Sequence, residues 1–249
     1  MMARGGQNRS SAVMAQRAEA HDSLDDFPTP PWAGRALCQF LRGQLLQYLQ
    51  LVDVREPAAN RGHLVRVLAE HFREVIASDV HDYGAGFPLH DYLMPVQDEV
   101  RVAWTITNPP YRLAEGFIAR ALACSGVGVA MLVRTSFLEG AGRFTRLYDV
   151  TPPTHVLQFS ERVVMHKGTL SEHGSTATSY AWVIWFKPHI GKPTQLHWIG
   201  TGARKRLTRA GDYPEDGMAV IEGVVALSAD LQGKSPDGQR APSDEGTLA

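Results

Sequence analysis

Stretches with apolar residues at helical spacing alternate along this chain with short, nearly continuous apolar runs. Apolar positions three or four residues apart predict helices over 33–48, 63–72 and 113–124, with a shorter one over 143–148. The continuous runs predict strands at 51–54, 75–79, 102–107, 127–133, 155–159, 180–186 and 196–199. Strands that alternate with helices form mostly parallel sheets, so we expect an α/β domain with a seven-stranded sheet and helices on both faces. Ligands of such domains bind beyond the carboxyl ends of the strands.

Composition sets the limits of this domain. The chain has 249 residues, 44% of them hydrophobic, which suffices for one sizeable core. We expect a polar, disordered tail over 1–24, a folded domain over 25–210 and an acidic, largely disordered tail over 211–249. No apolar run approaches the roughly 20 residues of a membrane span, and the N-terminus lacks the apolar stretch of a signal peptide. The two cysteines suggest neither a disulfide framework nor a metal site, so we expect a cytoplasmic protein without a metal or a membrane partner.

The net charge of −1 conceals an uneven distribution along the chain. Residues 101–210 hold 14 lysines and arginines against 5 aspartates and glutamates, whereas the segments on either side are acidic. A basic segment of this size is typical of a surface that binds a polyanion. Ordinary surface charge remains the alternative.

The chemistry of the chain centres on the segment Asn108-Pro109-Pro110-Tyr111, which follows the strand predicted at 102–107. The two prolines fix φ and remove two backbone donors, so the carbonyl groups of this turn are offered without neighbouring N–H groups. Such a turn suits gripping a planar amino group, with both amine hydrogens accepted and Tyr111 supplying a face for stacking. A strand-terminating turn with a core tyrosine is the alternative.

This tetrapeptide resembles the catalytic motif of the S-adenosylmethionine-dependent amino-methyltransferases, which methylate adenine, cytosine or glutamine amide nitrogens. The resemblance implies a Rossmann-like class I methyltransferase fold and S-adenosyl-L-methionine as cofactor. It also implies catalytic roles for Asn108, Pro109, Pro110 and Tyr111, with Asn108 adjoining the cofactor as well.

The segment 56–62, which follows the first predicted strand, resembles the cofactor loop of class I methyltransferases. The resemblance places Glu56, Pro57, Ala58, Asn60 and Gly62 against the methionine part of the cofactor. Asn60 stands where the family usually has its first glycine. Since Asn tolerates positive φ better than most other residues, we expect the turn to survive this departure, although it affects the expected cofactor affinity.

Further cofactor positions follow from the same resemblance. Asp79, with Val80, ends the next predicted strand, where the family has an acid that accepts hydrogen bonds from the cofactor ribose; a turn cap is the alternative. Asp91 and Tyr92 resemble the motif that meets the adenine amino group of the cofactor, although they could equally be surface loop residues. The segment 26–32 resembles the extended N-terminal motif of DNA amino-methyltransferases, which adds Phe27, Thr29 and Pro30.

The order of these motifs resembles that of bacteriophage and prophage adenine methyltransferases. The family tends to use Asn-Pro-Pro-aromatic for adenine, so we expect N6-methylation of adenine in double-stranded DNA, with the target base flipped out. Methylation of cytosine, an RNA base or protein glutamine stays open, as does a DNA-binding protein that has lost turnover. The segment 25–210 has room only for short target-recognition loops, and a homodimer could supply the missing recognition surface.

Candidate DNA contacts lie in the basic segment. The polar stretch 166–179 occupies the place of the target-base loop in the family, and it contributes His166, Lys167 and His173. Arg204, Lys205 and Arg206 form a compact basic cluster that could neutralise several phosphates, and Arg134 ends a central strand near the same rim. A solvated basic face is the alternative for the cluster.

Overall fold

The structure is a computed structural model that describes residues 25–43, 45–94 and 100–219. The tail expected over 1–24 and most of the acidic tail therefore lie outside the described residues. The strands are β1 (Asp53–Glu56), β2 (Glu74–Ala77), β3 (Val102–Thr107), β4 (Ser125–Arg134), β5 (His155–Phe159), β6 (Tyr180–Phe186) and β7 (Gln195–Ile199).

The seven strands form one sheet in the order β2-β1-β3-β4-β6-β5-β7. Strand β6 is antiparallel to both of its neighbours, and every other pair in the sheet is parallel. The expected mostly parallel, seven-stranded α/β sheet is thus confirmed. The strands β1, β2 and β3 are parallel neighbours, so their carboxyl ends meet at one edge, where the predicted motifs lie.

Helices cover both faces of the sheet, as expected. On one face lie α1 (Pro31–Gly43), α2 (His63–Ala69) and α5 (Ala203–Leu207), and on the other lies α3 (Ala114–Cys124). The short α4 (Ala141–Arg143) continues into a π-helical turn, Phe144–Tyr148. No helix of the described residues is long and apolar enough to cross a membrane.

Two hydrophobic cores result from the alternation of side chains along the central strands. In β4, Ala130 and Leu132 join the core under α1 and α2, whereas Val129 and Met131 join the core under α3. Gly128 leaves room for the Trp104 ring of the neighbouring strand, since a Cβ there would lie 2.4 Å from that ring. The central strands β4 and β6 are nearly continuously apolar because both faces of the sheet are buried there, whereas the edge strand β7 is largely exposed.

Several predicted boundaries are wrong. The helix predicted over 33–48 ends at Gly43; beyond it Leu46 has φ 51° and the Gln47 N–H bonds back to the Leu41 carbonyl. Residues 49–51 form a 3-10 turn, so the first strand begins two residues later than predicted and includes Glu56. The second strand ends at Ala77, and α5 lies in a segment for which no element was predicted.

The first residues of the expected C-terminal tail pack against the domain. The Asp212 carboxylate is fully buried and accepts hydrogen bonds from Arg35 on α1 and Arg66 on α2, at 2.7 and 2.5 Å. The Arg35 guanidinium also pairs with Glu70 at 2.7 Å. This buried ion-pair network holds the segment 212–219 beside α2, so the folded part extends beyond residue 210.

Candidate functional site

A cavity lies at the carboxyl edge of β1, β2 and β3. All but two of the residues predicted to bind the cofactor line it: Phe27, Thr29, Glu56, Pro57, Ala58, Asn60, Asp79, Val80, Asp91, Tyr92 and Asn108. Pro30 and Gly62 are not part of the lining. The cavity also includes residues that the sequence did not suggest, notably His63, Tyr83 and His90. The topology therefore brings five separate stretches of the chain to one place.

Glu56 forms the floor of the cavity. Its side chain is completely buried; Oε1 accepts hydrogen bonds from the Ala58 N–H at 3.0 Å and from the Thr107 hydroxyl at 2.6 Å. Oε2 has no hydrogen-bond partner among the described residues. Burial raises the pKa of Glu56 well above its ordinary value, against the two hydrogen bonds. A cationic or donor-rich ligand would satisfy this oxygen.

Asp79 holds the loop 57–62 in place. Its carboxylate accepts hydrogen bonds from the backbone N–H groups of Asn60 at 2.8 Å and His81 at 3.0 Å, and burial raises its pKa. Asn60 adopts φ 50°, so the residue that replaces the family's glycine does enter the left-handed region. The contact to His81 is the turn cap considered from the sequence, and the same carboxylate also lines the cavity.

The pair Asp91 and Tyr92 divides between the cavity and the core. Asp91 is exposed at the cavity and accepts a hydrogen bond from the Leu93 N–H at 3.0 Å. The Tyr92 side chain is 1% exposed, and its ring centroid lies 5.1 Å from that of Phe117 in the core under α3. Asp91 is therefore the member of the pair whose side chain solvent and ligands can reach.

The N-terminal strap, which we define as residues 25–30, crosses the cavity and is fastened from several sides. The Asp26 carboxylate pairs with the Arg61 guanidinium at 2.6 Å and accepts a hydrogen bond from the Asn60 amide at 2.9 Å. The Tyr111 N–H donates to the Asp25 carboxylate at 2.8 Å. The strap thus links the loop 57–62 to the turn 108–111.

The turn 108–111 begins directly after β3. The Asn108 Nδ2 donates to the Phe27 carbonyl at 3.0 Å. Because a carbonyl can only accept, this contact fixes which end of the amide is nitrogen. The other end, Oδ1, is buried and has no hydrogen-bond partner among the described residues. The turn therefore presents an oriented, unsatisfied acceptor.

Tyr111 lies between the strap and the end of β4. Its ring centroid is 5.5 Å from that of Phe27, its hydroxyl is 2.9 Å from the Tyr180 hydroxyl, and the Arg134 guanidinium lies 4.0 Å over its ring. Burial raises the pKa of Tyr111 far above its ordinary value, so the phenol is neutral. The guanidinium therefore covers one face of the Tyr111 ring.

The other candidate DNA contacts divide into three places. A second cavity beside Tyr111 is lined by Arg134, Ser136, Phe137 and Arg143. The exposed His173 shares a surface depression with Arg204 and Lys205, but Glu161 and Glu172 line it too. The exposed residues His166 and Lys167 lie in a turn beside the strap, where the Gly168 N–H donates to the Asp26 carbonyl. Arg206 is exposed on α5.

Comparison with known proteins shows the class of fold. No protein-family model and no curated protein matches the chain. Among solved structures, a protein from Listeria monocytogenes assigned as a class I S-adenosylmethionine-dependent methyltransferase is similar, with 14% identity and a TM-score of 0.52 over 72% of this chain and 68% of that one. A methyltransferase subunit of a type I restriction-modification system from Streptococcus thermophilus has 12% identity and a TM-score of 0.51, over 67% of this chain and 46% of that one.

At these identities the likeness concerns the fold. The chain has the Rossmann-like α/β fold of class I methyltransferases, as the sequence predicted. The second similar structure is much longer than the matched region, since this chain spans less than half of it.

Proposed function

We propose that this protein transfers a methyl group from S-adenosyl-L-methionine to the exocyclic amino group of adenine in DNA. The observation that carries the proposal is the Asn108 amide at the cavity rim. Its nitrogen is held by the Phe27 carbonyl, and its buried oxygen has no partner among the described residues. An amine hydrogen of the substrate would satisfy that oxygen, and a buried acceptor without a partner costs stability otherwise.

The cavity fits the cofactor in its chemistry. The buried atoms Glu56 Oε2 and Asn108 Oδ1 both lack hydrogen-bond partners among the described residues, so the cavity offers acceptors to a positively charged ligand. Asp79 and Asp91 add two carboxylates at the same cavity, toward hydroxyl or amino donors of a nucleoside. Bound S-adenosylmethionine would supply an already activated methyl group.

The protein's own contribution is then to position the amine. The Asn108 Oδ1 and the Pro109 carbonyl would accept the two amine hydrogens and leave the nitrogen lone pair directed at the cavity. A base inside a duplex cannot reach this place, so it must be flipped out at a cost of a few kcal/mol. Stacking on Tyr111 would recover about 1–3 kcal/mol of that cost, provided that the Arg134 guanidinium leaves the ring face. Holding the two reactants in line is the main source of rate.

Several observations favour DNA as the substrate. Arg134 lines the second cavity beside Tyr111, and α5 carries three consecutive basic residues. Phosphate neutralisation by such residues dominates nucleic-acid affinity. The fold is also that of a methyltransferase subunit from a restriction-modification system, which is consistent with DNA. Adenine is favoured over cytosine by the resemblance of the turn 108–111.

Mass spectrometry of nucleosides tests the proposal most directly. Unmethylated genomic DNA is incubated with the protein and S-adenosylmethionine, digested, and analysed for methylated nucleosides. The expected product is the deoxynucleoside of N6-methyladenine. If methylcytosine is found in its place, the proposed mechanism stands, but the assignment of adenine as the target base is wrong. No methylated nucleoside, with cofactor binding intact, would direct the search to RNA or protein glutamine, or indicate a binder without turnover.

The substitution Asn108→Ala tests the amine grip. We expect at least a 100-fold loss of methylation, because the substituent that orients the amine is removed, whereas the affinity for S-adenosylhomocysteine changes by less than about fivefold. The rate is measured by the nucleoside assay and the affinity by isothermal titration calorimetry. Arg112→Ala, at the exposed position directly after this turn, serves as the control. Retained methylation in Asn108→Ala would remove this residue from the mechanism.

A further inference from the structure

His63 is a residue of the cavity for which the sequence suggested no role. It follows Gly62 and begins α2, its side chain is 2% exposed, and it lines the cavity together with Glu56 and Asn60. A buried imidazole needs partners for its nitrogens, so each ring atom has to be accounted for.

One ring nitrogen of His63 is occupied by the segment 212–219. Nε2 lies 3.0 Å from the Gly217 carbonyl oxygen, which can only accept, so Nε2 carries the proton. In that tautomer Nδ1 is an acceptor, and it is buried without a hydrogen-bond partner among the described residues. Burial, together with the positive charges of Arg66 and Arg61, lowers the pKa of His63 to about 4. The hydrogen bond to Gly217 and the charge of Asp212 act in the opposite direction, but they are outweighed. The imidazole is therefore neutral near pH 7, and Nδ1 keeps its lone pair.

We propose that His63 Nδ1 accepts a hydrogen bond from the α-ammonium group of S-adenosylmethionine. The inference rests on the cofactor of the proposed function and not on its DNA substrate. An ammonium group has three donors, and the cavity holds two buried acceptors that lack partners among the described residues and belong to adjacent segments, Glu56 Oε2 and His63 Nδ1. A neutral imidazole takes part without adding a second negative charge beside Glu56.

The segment 212–219 would support cofactor binding through the hydrogen bond between the Gly217 carbonyl and His63 Nε2. Asp212 anchors the segment through Arg35 and Arg66, and the Ala219 N–H donates to the Arg61 carbonyl at 3.2 Å in the cofactor loop. The Gly217 carbonyl between these anchors fixes the tautomer of His63. The segment 212–219 thus keeps His63 Nδ1 unprotonated, as a hydrogen-bond acceptor.

Two substitutions separate the proposed role from a merely structural one. The amide of glutamine reaches the place of Nε2, so His63→Gln keeps the donor to Gly217 and removes the acceptor at Nδ1. The shorter amide of asparagine reaches the place of Nδ1, so His63→Asn keeps that acceptor and loses the contact to Gly217. His155→Gln replaces another buried histidine, outside the cavity, and is the matched control.

Calorimetry with two ligands gives the readout. The ligands are S-adenosylhomocysteine and its analogue in which hydrogen replaces the α-amino group. For His63→Gln we expect S-adenosylhomocysteine to bind roughly 10- to 100-fold more weakly than to the wild type, as for a lost hydrogen bond to a charged group. The des-amino analogue should bind within about twofold of wild type, and His63→Asn should recover most of the affinity for S-adenosylhomocysteine.

Other results of the calorimetric measurements contradict the inference. Equal losses for both ligands would mean that His63 shapes the cavity without contacting the ammonium. If His63→Gln binds S-adenosylhomocysteine as tightly as the wild type does, His63 serves only the contact to Gly217. The same conclusion follows if His63→Asn binds this ligand more weakly than His63→Gln does. If the wild type binds neither ligand, the proposed function fails first and the inference fails with it. A protein that binds as expected but does not methylate DNA leaves the inference standing.

Discussion

At the scale of single residues, the site is defined by buried polar atoms that the folded chain leaves without partners. Most buried polar groups in proteins are hydrogen-bonded, and an unmet acceptor costs about 1–3 kcal/mol. Glu56 Oε2, His63 Nδ1 and Asn108 Oδ1 each lack a partner among the described residues, and all three residues line one cavity. A ligand with several hydrogen-bond donors would offset this cost at all three atoms.

Glu56 gives the clearest test of that trade between stability and binding. Because burial raises its pKa above the ordinary 4.5, the folded protein holds this proton more tightly than the unfolded chain. Stability is therefore lost as the pH rises from about 4.5 toward the folded pKa. Glu56→Gln stays neutral and escapes this loss. We expect its Tm at pH 8 to exceed that of the wild type by about 2–4 °C, equivalent to about 1 kcal/mol, with the difference vanishing near pH 4.5.

The same Glu56→Gln variant should bind S-adenosylhomocysteine more weakly, since a neutral amide attracts an ammonium group less than a carboxylate does. Thermal unfolding between pH 4.5 and 8 and calorimetry give the two readouts. Glu139→Gln, at an exposed position, is the control and should change neither. A lower Tm at pH 8 would show that the carboxylate is stabilising and that the cavity contains a partner for it.

At the scale of elements, the strap 25–30 connects the loop 57–62 to the turn 108–111. Its anchor is Asp26, whose pKa is lowered: burial alone would raise it, but the hydrogen bonds from Arg61 and Asn60 outweigh burial. Both members of the Asp26–Arg61 pair are partly exposed, so the pair is worth about 1 kcal/mol at most. This pair is therefore one of several contacts that hold the strap, together with those of Asp25 and Phe27 to the turn 108–111.

Asp26→Asn is expected to loosen the strap without unfolding the domain. We predict an affinity for S-adenosylhomocysteine about three- to tenfold lower, mainly through faster dissociation, and a Tm within about 2 °C of wild type. Stopped-flow and calorimetric measurements distinguish the two effects, with the exposed Asp149→Asn as control. An unchanged dissociation rate would mean that the strap does not retain the cofactor.

Helix α5 is the element that tests DNA binding. Arg204, Lys205 and Arg206 follow one another on it, whereas the nearby Arg209 is engaged with Glu70 at 2.8 Å. Replacing the three by alanine should weaken binding to duplex DNA and reduce the slope of log K against log salt concentration by about 2–3, since each lost phosphate contact contributes about 0.9. Lys192→Ala, at another exposed position, is the control. An unchanged slope would mean that α5 faces solvent in the complex.

The sequence predicts the elements best where both faces are buried. The limits of β5 and β6 agree with their apolar runs, because a strand buried on both sides reads as a continuous apolar segment. Helix α5 escaped prediction because only Ala203 and Leu207 of its five residues are buried. The turn 108–111 and the loop 57–62 carry local motifs, whereas no motif marks His63 and Tyr83, which line the cavity in the folded chain. No pattern along the chain could indicate that Gly217 approaches His63.

At the scale of the whole molecule, the described beginning of the acidic C-terminal region, residues 212–219, is joined to the N-terminal part of the domain by charge. Its composition suggested a solvated tail, yet the Asp212 carboxylate is completely buried and meets Arg35, Arg66 and the Arg209 N–H. The pKa of Asp212 is lowered, since these hydrogen bonds outweigh the opposing effect of burial. Its contribution to stability is therefore present above the ordinary pKa of 3.8 and is lost as the pH falls through the folded value.

Removing this carboxylate should destabilise the fold and weaken cofactor binding together. Asp212→Asn leaves the buried Arg35 with only part of its countercharge, for which a loss of about 3–5 kcal/mol in the free energy of unfolding is expected. Urea unfolding at pH 7 measures that loss, with Glu215→Gln in the same segment as the exposed control. Under conditions where the variant stays folded, its affinity for S-adenosylhomocysteine should fall, although less than in His63→Gln, because an imidazole without the Gly217 contact can adopt either neutral tautomer and only one of them leaves Nδ1 as an acceptor. A destabilised variant with wild-type affinity would show that the segment 212–219 supports the fold but not the cavity.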